Sequence, residues 1–140
     1  MSKQADYIAE CLVKAYLDGG FNLPTAYENR AFSKPGPDEP WAALFLLPDK
    51  PRPVTLGPQG EDEHRGILQV DLHYPLNSGT AGINARYNEL AAWFTAGRRF
   101  IHNGTGVSVR SCGRGRGRED DGWWTVPVSI NWYTKLHRGV

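Results

Sequence analysis

The chain has 140 residues and a formal net charge of +1, so we expect one domain spanning residues 1–140, with no overall field that draws it to nucleic acid or membrane. Hydrophobic residues make up 40% and charged residues 22% of the sequence, which is typical of a folded globular protein rather than a disordered one. Two cysteines are too few for a disulfide framework. We expect Cys11 to be a reduced core residue, and a bridge between Cys11 and Cys112 is the alternative.

Neither a signal peptide nor a membrane span is predicted. The first six residues turn polar and acidic at once and lack the apolar core of a signal peptide. The longest apolar run, residues 41–47, is well short of the roughly 20 residues that cross a bilayer. We therefore expect the chain to be made and assembled in the cytoplasm, without a membrane partner.

Residues 4–18 predict an amphipathic helix, because apolar residues recur there at spacings of three to four. These residues are Ile8, Cys11, Leu12, Ala15 and Tyr16. Two glycines follow, Gly19 and Gly20, where a left-handed residue would end the helix. A short extended stretch at 25–27 and a turn-rich loop at 33–40 come next. The apolar run at 41–47 is too short for a typical helix and predicts a strand covered on both faces.

The middle of the chain carries the clearest strand, residues 66–74. Its apolar residues alternate with polar ones, Leu68, Val70, Leu72 and Tyr74 against Gln69, Asp71 and His73. One face is therefore expected in the core and the other in water or against a partner. Before this strand, residues 54–56 predict a short strand piece and residues 57–65 a loop or hairpin tip.

A second helix and further strands complete the pattern. Ser78 or Thr80 can cap a helix that runs to about Ala96. Its buried stripe would be Ile83, Tyr87, Leu90 and Phe94. Residues 100–111 predict one or two short strands, and residues 123–134 a long final strand. Pro127 lacks a backbone donor, which indicates a sheet edge or a bulge. The order helix, strands, helix, strands predicts an α+β domain with a mixed or mainly antiparallel sheet and two helices packed on one face.

No set of residues in the sequence indicates catalysis, a cofactor or a metal. The nucleophile elbow and the phosphate-binding loop motifs are absent. Asp71 and His73 share a strand face and could orient an imidazole, which is the basis of an enzymatic alternative. Because no third or fourth ligand is visible, a hydrated polar pair is the simpler interpretation. We predict a protein that is not an enzyme and has no catalytic, cofactor-binding or metal-binding residues.

A segment of alternating arginine and glycine stands out near the C-terminal end. Arg114, Arg116 and Arg118 alternate with glycines and are followed by Glu119, Asp120 and Asp121. The pattern predicts a flexible hairpin loop, which could pair with its neighbour in an oligomer. Such a loop can also bind phosphate backbones, although the adjacent acids reduce its field. A solvated loop is the plainest alternative.

Large aromatic residues lie near the predicted strand ends. Trp123 and Trp124 are consecutive, so their side chains face opposite sides of a strand. If one of them is in the core, the other is exposed or in an interface, where tryptophan is enriched. The predicted interface residues are therefore Gln69, Asp71, His73 and Trp123.

The sequence resembles the phage tail-terminator-like family, small proteins encoded among the head–tail genes of tailed phages. The resemblance runs from the first helix to the final strand. It rests on the first helix, residues 24–29, the strand that opens at Trp41, residues 54–57, residues 66–75 and the helix with Tyr87 and Leu90. The Arg-Gly segment has no counterpart in the family pattern.

The resemblance implies an α+β fold and a homo-oligomeric ring, commonly of six subunits. Such a ring caps the tail tube, stops tube polymerisation and provides the head-joining surface of the virion. Its partners would be the tail tube protein and a head–tail connector or head-completion protein, with DNA passing through the ring. In such a ring the basic loop with Arg114, Arg116 and Arg118 would face the lumen. The alternatives are another head–tail joining or minor tail protein, or a small nucleic-acid-binding module that uses the Arg-Gly loop.

Overall fold

Two helices and eight strands form the fold within residues 3–139, which a computed structural model describes. Met1 and Ser2, at the start of the polar amino terminus, lie outside the described residues, as does Val140. The elements are α1 Gln4–Asp18, β1 Thr25–Tyr27, β2 Trp41–Pro48, β3 Arg52–Pro53, β4 Glu61–Pro75, α2 Ala81–Trp93, β5 Arg99–His102, β6 Thr105–Arg114, β7 Arg118–Asp120 and β8 Trp123–His137. Their order fits the predicted helix, strands, helix, strands.

The strands form one curled mixed sheet in the order β1-β2-β4-β8-β6-β5, with β3 beside β4 and β7 beside β8. Only the pairing of β1 with β2 is parallel among the described strands; the other pairs are antiparallel. The centre of the sheet is the β4–β8 pair, in which all fifteen residues of each strand are matched. The predicted α+β class with a mixed, mainly antiparallel sheet is confirmed.

The strand β4 is longer than its sequence pattern predicts. Its central residues Leu68, Val70 and Leu72 point into the core as expected. However, the strand begins at Glu61, so the second part of the predicted loop at 57–65 is extended. This polar stretch gains its strand partners from β8, where Glu61 is matched with His137. A long-range partner therefore decides a conformation that local composition does not.

The region around residues 48–60 departs most from the prediction. The predicted strand piece at 54–56 is wrong, since the strand here is Arg52–Pro53 and Leu56 is 92% exposed. These residues belong to the exposed connection between β2 and β4. Arg138 holds it, with its guanidinium donating hydrogen bonds to the carbonyls of Thr55, Gly57 and Glu61.

The first half of β2 fits the predicted coverage on both faces, and the second half does not. Residues from Trp41 to Leu44 are buried, whereas Phe45 is 36% and Leu47 45% exposed. The cause is the short neighbour β1, which pairs only with Ala42, Ala43 and Leu44.

The first helix ends where it was predicted to end, and the second ends earlier. In α1 the predicted stripe is buried and Gly20 adopts the expected left-handed conformation, with a φ of 65°. The second helix ends at Trp93, three residues before the predicted end, and Thr80 makes no side-chain cap. Ile83, Leu90 and Phe94 are buried, and Tyr87 is half-buried.

The prediction that Pro127 marks a sheet edge is wrong, because β8 is a central strand between β4 and β6. The proline is accommodated at the break between β6 and β7. Pairing with β6 ends at Val128, and pairing with β7 begins at Thr125. Pro127 accepts a hydrogen bond of 2.8 Å from the Gly115 backbone N–H at this break. Pro127 has no backbone N–H, and it lies where neither β6 nor β7 requires a hydrogen bond from it.

One hydrophobic core fills the space between the helices and the sheet, and we call this side the helix face. Both helices contribute to it, through Leu12 and Tyr16 of α1 and Ile83 and Leu90 of α2. The opposite side of the sheet carries no helix among the described residues, and we call it the open face. The placement of both helices on one face is as predicted.

Candidate functional site

Three of the four predicted interface residues lie in one row of β4, on the open face. Gln69, Asp71 and His73 alternate with core residues, and β8 matches them with Ser129, Pro127 and Thr125. Gln69 and Asp71 are half-buried and joined by a hydrogen bond of 2.8 Å from the Gln69 amide to the Asp71 carboxylate. This pair forms a polar patch at the centre of the open face.

His73 and Trp123 lie in a small cluster at one end of the open face, which we call the aromatic corner. Its members are Phe32, Trp41, His73 and Trp123. The His73 ring stacks on Trp41 with 3.9 Å between ring centroids and 10° between planes. Trp123 meets Trp41 edge-on at 6.0 Å. The preceding loop covers the cluster, since Phe32 lies 5.3 Å from Trp41.

The corner is sealed in the isolated chain, because His73 and Trp123 are each only 8% exposed. They support the open face and present little surface of their own. Trp124 points to the other side and packs against the core, as expected for consecutive strand residues.

The environment of His73 favours its neutral form. Burial lowers the pKa of the imidazole, Asp71 and Asp120 oppose the shift, and Lys34 adds to it. Its Nδ1 lies 3.0 Å from the Thr125 hydroxyl, which fixes the ring. The arrangement provides a held, uncharged ring bonded to the Thr125 hydroxyl, in the same row of β4 as the half-buried carboxylate of Asp71. At 8% exposure the ring presents little surface to a substrate.

Among residues 3–139, no group of three or more His, Cys, Asp or Glu side chains is close enough to hold a metal ion. Nor is any helix within that range long and apolar enough to cross a membrane. Both cysteines are free rather than bridged. Burial raises the pKa of Cys112 to about 11 and also raises that of Cys11, so both thiols stay protonated at neutral pH.

The Arg-Gly segment is more ordered than a flexible loop. Residues 118–120 form β7, and Asp121 and Gly122 make a two-residue turn in which both φ angles are positive, as tight hairpins require. Within one chain, two residues of this segment contact other parts of the fold, and the predicted pairing with a neighbouring subunit stays a prediction. Arg114 donates to Asn84 of α2, and Asp121 pairs with Lys34 at 2.9 Å, which lowers the pKa of Asp121.

Two surface features were not predicted from the sequence. The first is an arginine edge at the β5–β6 side of the sheet, formed by Arg98, Arg99, Arg110, Arg114, Arg116 and Arg118. The signal for it was in the sequence, because residues 90–118 contain no aspartate or glutamate.

The second feature is an apolar groove of about 420 Å³ between α1 and the other end of the sheet. We call it the α1–β2 groove. Its lining residues are Ala9, Leu12, Val13, Leu17, Tyr27, Glu28, Arg30, Leu44, Leu46 and Leu68. The groove follows the half of β2 that lacks β1 as a neighbour, and Glu28 accepts a hydrogen bond of 2.7 Å there from the Leu46 backbone N–H. It was missed because the exposed apolar residues of α1 and β2 are far apart in the sequence.

Comparison with known proteins bears on what these surfaces do. A family model described as phage tail terminator protein matches residues 8–132. Nine chains of solved structures also match. One of them superposes with a TM-score of 0.70 at 23% sequence identity, covering 94% of this chain and 96% of that chain, and shows a shared fold. No curated protein sequence matches.

Proposed function

Because this chain belongs to the phage tail terminator family and so has a structural role in the phage tail, we propose that it forms a ring that caps the tail tube. The ring stops tube polymerisation and provides the surface to which the head is joined. Its partners are other copies of the chain, the tail tube protein and a head–tail connector or head-completion protein. It is assembled in the host cytoplasm and resides in the virion.

The observation that carries this proposal is the uncovered face of the sheet. In a single-domain protein a central sheet with one bare face is a candidate contact surface, because half-buried apolar and polar residues remain available there. Phe45 and Leu47 are exposed on this face beside the Gln69–Asp71 patch. We assign this surface to the contact with the next tail component.

The arrangement of titratable groups supports an interface role over a catalytic one. An enzymatic interpretation would require Asp71 and His73 to converge with a third group on an open pocket. Instead, His73 is stacked under Trp41 and bonded to a threonine, and Asp71 is bonded to Gln69. Interfaces rather than reactions are therefore the basis of the proposed function.

Mixing the purified chain with its tail tube protein tests the proposal. We expect the chain to bind tube ends, to limit tube length in negative-stain images and to appear there as a ring. Light scattering over a range of concentrations reports the size of the free assembly. If the tubes grow to the same length with and without the chain, the capping function is excluded.

The same experiment separates the nearest alternative. Another head–tail joining or minor tail protein would bind completed tails or heads without changing tube length. In that case the contact surface on the open face would remain, and only its docking partner would differ.

A further inference from the structure

The arginine edge carries charge that the rest of the chain does not neutralise. None of its six arginines makes an ion pair with another of residues 3–139. The ion pairs there use other cations, namely Lys14, Lys34, Arg52, Arg65, Arg86 and Arg138. Unpaired cations along one edge of the sheet give that edge a positive field, so it favours an acidic partner.

Aromatic rings hold several of these arginines in place. The Arg98 guanidinium lies 3.8 Å from the Trp93 ring, and that of Arg110 lies 5.0 Å from Tyr133. Arg114 lies 5.6 Å from the Tyr87 ring. Stacked guanidinium groups lose less conformational freedom on binding than free ones, and arginine with aromatic residues is the composition of protein interface centres. The edge is therefore preorganised for a protein partner.

The arginine edge also has an apolar anchor. Ile101 of β5 is 70% exposed, close to Arg99 along the strand and near the tip of the β5–β6 hairpin. Ile101 is a large exposed aliphatic side chain that lies near Arg99. A partner that buries it favourably would offer an apolar recess with an acidic rim.

The α1–β2 groove is an apolar recess with an acidic rim. Its lining is mostly apolar and includes Glu28, with Arg30 as its basic residue. On α1, Asp6 and Glu10 lie three positions before Ala9 and Val13, so their side chains border the groove on the solvent side. By the same spacing Lys14, three positions before Leu17, borders the groove too, but its charge is paired with Asp18 at 2.8 Å. The rim therefore has more acidic than basic groups, and the groove is open to an aliphatic side chain.

We propose that the arginine edge of one copy docks on the α1–β2 groove of the next copy, with Ile101 entering the groove and the arginines facing its acidic rim. This inference rests on the proposed ring, for which it names the contact between subunits. The two patches are at opposite ends of the strand order β1-β2-β4-β8-β6-β5. Two different patches on one molecule make a head-to-tail contact, which closes into a ring when the rotation per subunit allows.

A site-directed cross-link tests the contact even when single contacts are weak. In a Cys112→Ser background, one protein carries Ile101→Cys and a second carries Leu17→Cys. Leu17 lines the groove and is 56% exposed. Under mild oxidation we expect the mixture to form a disulfide-linked pair at least tenfold faster than Ile101→Cys mixed with Lys135→Cys, because Lys135 does not line the groove. Equal rates for the two mixtures would overturn the proposal.

Charge reversal gives a second, independent test. We expect Arg99→Glu with Arg110→Glu to abolish self-association, and Glu10→Arg with Glu28→Lys to do the same. Mixing the two variants restores assembly, because each edge then meets a groove of opposite charge around an alternating ring. Lys50→Glu with Lys135→Glu changes the net charge as much as the edge variant and leaves assembly intact. Glu28→Gln, which keeps an oxygen acceptor for the Leu46 N–H, shows whether the fold tolerates loss of this charge.

The outcomes separate this contact from the ring proposal and from DNA. Edge variants that assemble normally but lose salt-sensitive binding to duplex DNA would overturn the docking contact and assign the edge to a phosphate backbone. A specific cross-link between copies that never cap a tube would leave the contact standing and remove the capping function.

Discussion

The two faces of the central sheet use the same strands for different purposes. On β4, Leu68, Val70 and Leu72 are at most 1% exposed. Their neighbours Gln69 and Asp71 are half-buried on the open face. Since adjacent residues share one backbone and one register, the difference comes from the helices that cover only one side. The side chains that point to the helix face therefore stabilise the fold, and those on the open face remain accessible.

The largest expected contrast is between two adjacent residues of β4. Leu72→Ala removes a fully buried side chain from the helix face, and we expect a loss of about 2–5 kcal/mol in the free energy of unfolding. Asp71→Ala on the open face should cost less than about 1.5 kcal/mol, the net worth of a hydrogen bond. Urea denaturation of both variants measures the difference. Equal losses would mean that the open face is as important to stability as the helix face.

The glycines of the Arg-Gly segment offer a matched pair for the same comparison. A Cβ at Gly117 would lie 2.5 Å from a ring carbon of Trp124, which packs against the core. We expect Gly117→Ala to cost about 1–3 kcal/mol by overpacking. Gly113, matched with Ser129 on the open face, has no atom within 4 Å of such a Cβ. If Gly113→Ala lowers the midpoint of thermal unfolding as much as Gly117→Ala, the close approach to Trp124 is not the cause.

The aromatic corner should make stability depend on pH in one direction. Burial lowers the pKa of His73 in the folded chain below its ordinary value of 6.5. The unfolded chain therefore takes up a proton first as the pH falls below about 6.5, so stability decreases toward acid and is fully present above that pH. We expect His73→Phe, which keeps a ring against Trp41, to weaken this dependence.

Urea midpoints at pH values of about 7.5 and about 5.5, on either side of the ordinary histidine pKa, measure the effect of this variant. His64 contributes with the same sign, because burial lowers its pKa too. A small residual slope is therefore expected. An unchanged slope in the variant would show that His73 accepts a proton as readily in the folded chain as in the unfolded one.

The smallest effect on stability is expected at the centre of the open face. Gln69→Arg places a longer, charged side chain next to Asp71, and its guanidinium can donate to the carboxylate in place of the amide. We therefore expect the free energy of unfolding to change by less than about 0.5 kcal/mol. Capping of tubes and infectivity of assembled tails should fall, because the new charge lies in the proposed contact. A variant that folds and also caps tubes as well as the wild type would place the contact elsewhere.

Local patterns predicted the elements that bury only one of their two faces. The stripe of α1 and the alternation of β4 and β8 were predictable because one face of each is apolar. The polar start of β4 at Glu61 was not predictable, since its strand state depends on His137 at the far end of β8. Pro127 was misplaced for a related reason. The absence of a backbone N–H at Pro127 is tolerated only because the break between β6 and β7 lies opposite this residue.

The candidate surfaces were predicted in part. Alternation alone placed Gln69, Asp71 and His73 on one side of a strand, as the structure does. It could not reveal that a loop seals His73 and Trp123 beneath Phe32. The arginine edge is assembled from the segment before β5, from β6 and from the start of β7. Its charge was therefore spread over parts of the sequence that only the sheet brings together.

The central position of β8 has a consequence for how the chain is made. β4 is completed early, but its partner β8 follows α2, β5 and β6. At synthesis rates of about 5–20 residues per second, one edge of β4 stays bare for seconds while the rest emerges. Bare strand edges promote aggregation, so a chain that stops before residue 123 should be insoluble rather than partly active. The Gln4 side chain also donates to the carbonyls of Leu136 and His137. The helix α1 can therefore complete its packing only after β8 has formed. Under the proposed contact, only finished chains offer both a groove and an edge, so incomplete chains would not enter the ring.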